Sequence, residues 1–173
     1  MELGAYEEAV RLLVPLARRN SEYALLSLGW IYETGATAAP DADAARSYYA
    51  RAASQGSAAG CFGLGRLLLR YSEEAKARAA FRAGAERGDL SSMAELGRML
   101  LEGREGPSNA VEGWGWLEKA AEQGQIFAQR TLLAIEDHNA RTITQLSVQL
   151  KKFRLALKGA RLMVNDRYSD KVR

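Results

Sequence analysis

The stretch ALLSLGWIYETG, residues 24–35, runs through a loop, ATAAPD (36–41), into ADAARSYYARAASQG (42–56). Its two apolar segments flank a Gly and Pro joint. Asp41 stands where a helix N-cap belongs. Gly56 follows Ala52-Ala53-Ser54-Gln55 where a helix would end in a left-handed residue. Counted back from Gly56, Ala45, Tyr49 and Ala52 sit eleven, seven and four residues upstream, a spacing that makes one apolar helix face. The stretch therefore predicts a helix pair, with small residues on the contact faces so that the backbones approach closely.

The same signature recurs along the chain. The helix-ending glycines Gly56, Gly88 and Gly124 lie 32 and 36 residues apart, and Asn20 takes the place of an earlier one. Asn is the next best residue for a left-handed helix end. Nine residues after each comes a second landmark: Leu28-Gly29, Leu64-Gly65, Leu96-Gly97 and Leu132-Leu133. Seven residues before each stands a large apolar residue, Leu13, Tyr49, Phe81 or Leu117. Helix A is expected over roughly 21–33, 57–70, 89–101 and 125–137, and helix B over 5–18, 42–54, 73–86 and 109–122. Asn109 is the expected cap of the last helix B. The second unit is four residues shorter, and Ser72 is its expected cap. The domain reading is a half repeat 5–20, repeats 21–56, 57–88 and 89–124, and a half repeat 125–137, together a solenoid over 1–138. One pair cannot bury its own apolar face, but stacked pairs can. The expected fold is all-α, a right-handed α/α solenoid.

Residues 24–56 resemble the Sel1-like repeat, a relative of the tetratricopeptide repeat. Residues 89–124 fit again, with Trp116, Lys119, Ala120, Ala121, Gln123 and Gly124 in place; 57–88 fit more loosely. The resemblance implies a scaffold or adaptor for other proteins. It also assigns Trp116 to the packed core. Some secreted members pin each helix pair with a disulfide, which the single Cys61 excludes here.

Composition agrees with this picture. The 173 residues hold 30 Ala and 23 Leu against 15 Val, Ile and Thr together, which favours helix over sheet. One Cys and one His, His138, exclude an internal disulfide, a thiolate zinc cage and a His-cluster metal site within one chain. No apolar run approaches a membrane span. The first ten residues lack a secretory signal. A cytoplasmic location is expected, or a periplasmic one if the start of the chain is trimmed. Residues 1–138 carry 15 basic and 19 acidic side chains, a balance of −4, whereas 139–173 carry 9 and 2, a balance of +7.

Residues 139–164 leave the repeat register. Ile143, Leu146, Leu150, Phe153, Leu157, Ala160 and Val164 form an apolar seam at heptad spacing. The expectation is a C-terminal helix that caps the stack. The alternative is a regulatory homodimer through Ile143, Leu146, Leu150, Phe153 and Leu157. The basic side chains off this seam leave room for weak contact with an anionic membrane or nucleic acid, disfavoured by the acidic body. Residues 165–173 read as a polar tail.

Chemistry is sparse. Gly63-Leu64-Gly65 lacks the third glycine of a dinucleotide fingerprint and lies within a helix. Cys61, among small helical residues, reads as a buried structural thiol. No catalytic residue, cofactor or metal is implied. The sequence favours a binding surface on the concave side lined by helix A. There the residue after each landmark faces outward, about 100° round the helix. This places Tyr23, Leu26, Trp30, Phe62, Arg66, Arg98, Phe127 and Arg130 on one groove. Aromatics and Arg are enriched at interface hot spots, and Arg grips carboxylates in pairs of hydrogen bonds. The expected partner is a protein or peptide, with an acidic or C-terminal segment the best match.

Overall fold

The computed structural model describes residues 2–104 and 109–138. Within them the regular structure is entirely helical: α1 (Glu2–Arg18), α2 (Glu22–Thr34), α3 (Ala42–Ser54), α4 (Ala58–Arg70), α5 (Glu74–Glu86), α6 (Leu90–Glu102), α7 (Ala110–Glu122) and an eighth helix, α8, over 126–138. The chain divides into two units, Met1–Thr131 and Leu132–Arg173. Of the second, residues 132–138 are described. The expected C-terminal helix, its dimer seam and the polar tail lie outside the described residues.

Within the first unit each helix packs on the next, from α1 through α7. In addition α2 reaches α4, and α4 reaches α6. Helix A of one repeat thus touches both its own helix B and the following helix A, as an α/α solenoid requires. The A helices are α2, α4, α6 and α8; the B helices are α1, α3, α5 and α7.

The helix ends follow from local chemistry. Gly56, Gly88 and Gly124 close their helices at φ of 89°, 91° and 85°, and Asn20 does the same at 65°. Around Gly56 the amide of Ser57 donates to the Ala52 carbonyl and that of Gly56 to Ala53, the paired bonds of a Schellman closure. Asn20, Gly88 and Gly124 repeat this pattern. Asp41, Asp89 and Asn109 cap the next helices by accepting from the amides of Ala44, Ser92 and Glu112. Ser72 is not the expected cap. It adopts φ of 59° and closes α4, while Glu73 takes the N-cap position of α5 without a side-chain bond. In the shortened unit one turn must both end α4 and start α5, and the left-handed residue falls to Ser72.

The core follows the repeat register. Tyr49, Phe81 and Leu117 are buried, each against a landmark glycine of the preceding helix A. A side chain begun at Gly29 would meet the Tyr49 ring at 2.6 Å, one at Gly65 the Phe81 ring at 2.7 Å, and one at Gly97 would meet Leu117 at 2.8 Å. Ala45, Ala77 and Gly113 complete the contact one turn earlier. Cys61 is buried, with its Cβ 3.2 Å from where a side chain on Gly84 would start. Trp116 is half-buried and lies outside this core. Its Nε1 donates to Glu112 Oε1 at 3.4 Å, and the Lys119 ammonium sits 5.3 Å from the ring centroid. The neighbouring Leu117 is the buried member, because one residue shifts a side chain about 100° round the helix.

Candidate partner-binding groove

The first helix B, α1, leaves part of its apolar face open. Tyr6, Ala9 and Leu13 from α1 meet Tyr23, Leu26, Ser27, Trp30 and Ile31 from α2 around a groove of about 460 Å³. Every lining side chain is uncharged. The Tyr6 and Trp30 rings pack obliquely, their centroids 6.0 Å apart. Trp30 keeps 44% of its surface exposed and Tyr23 keeps 74%. Exposed aromatics over an apolar floor suit the burial of a partner's apolar side chain.

Three of the residues expected on the binding surface, Tyr23, Leu26 and Trp30, are thus brought together. The other five are elsewhere. Phe62 packs against Phe81 with ring centroids 6.0 Å apart. Arg98 bonds Glu95 and Glu102 on its own helix, with nitrogen–oxygen distances of 2.7 and 2.9 Å. Phe127 and Arg130 are exposed on α8.

Arg66 belongs to a network that the sequence reading missed. Glu33, at the end of α2, is only 3% exposed. Its Oε2 accepts from Tyr49 Oη at 3.0 Å and from Arg66 Nη2 at 2.5 Å, and Arg70 Nη2 lies 3.0 Å from Oε1. Burial, followed by the charge of Glu33, pushes the Tyr49 hydroxyl above its ordinary range. The Tyr49 ring fits because both Gly29 and Gly63 lack a side chain where it passes. One buried carboxylate therefore ties three helices together. The available signal was Glu33 standing four residues after landmark Gly29, hence on the same helix face. Arg66 and Arg98 both already hold carboxylates of their own chain.

Among the described residues no group of three or more His, Cys, Asp or Glu side chains is placed to hold a metal ion. No described helix is long and apolar enough to cross a membrane.

The Sel1 repeat family model matches residues 22–57 and 90–125, the two stretches that hold α2 with α3 and α6 with α7. The chain carries two Sel1 repeats. Among solved structures, the Sel1 repeat protein of Oxalobacter formigenes is similar at 25% identity with a TM-score of 0.69, covering 74% of this chain and 54% of that one. The protective antigen c5321 of uropathogenic Escherichia coli, which displays the same fold, is similar at 22% identity with a TM-score of 0.68, covering 74% of this chain and 28% of its own. This Sel1-repeat chain thus spans about half of the first structure and a smaller part of the second. No curated protein matches it. Residues 58–88 of the intervening unit lie outside the matched stretches, and this is the unit whose joint is shortened to a turn at Ser72.

Proposed function

We propose that the protein is a non-enzymatic interaction module that holds a protein partner in the groove between α1 and α2. The observation that carries this reading is the uncharged, open groove with Tyr23 and Trp30 standing exposed at its edge. The repeat stack supplies a rigid frame that fixes these side chains before the partner arrives, which lowers the ordering cost of binding. Membership of a repeat family supports a scaffold role by analogy.

Arg66 and Arg98 are poor anchors for an acidic segment, because accepting one would mean sharing or giving up Glu33, Glu95 or Glu102. Recognition is therefore assigned to the apolar residues. Capture of partners from the native lysate by the full chain is the test, with Tyr23→Ser plus Trp30→Ser as the control. The double variant should lose at least tenfold in recovered partner, since truncating one hot-spot aromatic costs about 2 kcal/mol. Equal recovery, with the helical circular dichroism unchanged, would remove the groove from the reading.

A further inference from the structure

One repeat further along the stack, the counterpart of this groove is filled. Ala9, Leu13 and Ile31 correspond in the register to Ala45, Tyr49 and Leu67. Those three form one buried cluster, against which Leu26 and Tyr32 of α2 pack. The cover is helix A of the same repeat, which packs on both α3 and α4. Among the described residues, no helix does this for α1 and α2.

Leu16 shows the same gap. Its counterparts Ala52, Gly84 and Ala120 are buried, whereas Leu16 is 45% exposed. In repeats 21–56 and 57–88 helix A lies against this position. Leu25 and Leu28 share a cluster with Ala52, and Cys61 stands over Gly84. In the first half repeat no described helix takes that place, and Leu12, Leu16, Tyr23 and Trp30 are exposed.

We infer that the groove is a vacant helix-A seat, and that its occupant is an amphipathic helix of a partner protein, seated on α1 and α2 as α2 is seated on α3 and α4. This rests on the groove reading above and adds the class of partner. The occupant's side chains follow from the filled junctions. Gly29 lies over Tyr49, Gly65 over Phe81 and Gly97 over Leu117. A small residue is therefore required over Leu13. A second small residue, four positions earlier, faces Leu16, which is bulkier than Ala52 or Gly84. Four positions after the first, Glu33 of α2 meets Arg66 and Arg70. At the vacant seat those arginines are replaced by Trp30 and Thr34. A carboxylate there would be buried without a cation, so the occupant carries an apolar side chain instead. The signature is small, three residues, small, three residues, apolar. α4 carries it as Cys61, Gly65 and Leu69, so its sequence serves as a probe.

The test joins a copy of residues 57–70, with Cys61→Ala, ahead of Met1 of the full chain through a flexible Gly/Ser linker. Trp114→Phe and Trp116→Phe leave Trp30 as the one indole. Trp30 emission should shift to shorter wavelength, and amide exchange in α1 should slow at least tenfold. Leu16→Lys, at an exposed position, should reverse both. A helix-stapled peptide of the same sequence, added in trans, should give the same emission shift in a saturable titration. No change in the fused chain would overturn the seat. A response in the fused chain with none in trans would overturn the foreign helix. Sedimentation of the unextended chain as a dimer that Leu16→Lys dissolves would assign the seat to a second copy and overturn it as well. If the seat fails while Tyr23→Ser with Trp30→Ser still abolishes capture, the groove reading survives alone.

Discussion

A methyl group on Gly65, itself buried, would begin 2.7 Å from the buried Phe81 ring. Gly65→Ala should therefore destabilise the protein by about 1–3 kcal/mol through overpacking, read as a lower midpoint in urea with an unchanged slope. Gly56 is the opposite case. Nothing lies near its missing side chain, but its φ is 89°, so Gly56→Ala should cost about 1 kcal/mol through backbone strain alone. Tyr49→Phe deletes the hydroxyl that donates to buried Glu33. That substitution should cost about 1–3 kcal/mol, and a double-mutant cycle with Glu33→Gln should show strong coupling. The positions of Gly56 and Gly65 were legible in the sequence, because each recurs at a fixed offset from the other landmarks. Glu33 was not. It occurs in one repeat only, its partners come from two other helices, and a lone glutamate near a helix end reads first as a solvated surface residue.

Helix ends were the most legible elements, since capping is settled within five or six residues. Asn20 was read as a stand-in for glycine, and its φ of 65° bears that out. Ser72 went the other way: in the joint 71–73 it takes the left-handed closing position, and the N-cap position falls to Glu73. Ser72→Gly should accordingly raise stability by about 0.5–1 kcal/mol, measured by thermal melting. The elements are also joined by charge. Arg82 on α5 reaches Glu112 on α7 at 2.5 Å, and Arg46 on α3 bonds Glu73 at the start of α5. Hydrogen bonding from Arg82 holds the Glu112 carboxyl below its usual range, and Lys76 with Arg46 does the same for Glu73. A carboxyl lowered on folding contributes stability that is present above its unfolded value, about 4.3, and is lost as pH falls through the folded value. Urea midpoints should therefore hold steady above that pH and decline below it. Arg82→Gln should flatten part of the decline.

At the scale of the whole molecule, a stack of repeats distributes stability between neighbours, and the ends have fewer of them. In the first unit α1 packs on α2 alone among its principal contacts, whereas α4 packs on α2, α3, α5 and α6. Amide exchange should show α1 opening at lower free energy than α4 or α6. Uniform protection along the stack would contradict this. The helix order was legible because the register is periodic. The groove was legible only in part. Tyr23, Leu26 and Trp30 line one groove, but the register alone does not say that Phe62 turns to Phe81 or that Arg98 folds back on its own helix. Those outcomes depend on which side chain the adjacent repeat offers.

Cys61 is the single thiol in the chain; it is buried in α4, and burial raises its pKa. A thiol without access to reagent, held in its unreactive protonated form, is silent until the surrounding helices separate. A maleimide mixed with the native protein thus times the dissolution of the central repeat. For the same reason, a reporter cysteine placed on the surface takes a dye site-selectively, with the native thiol left in place.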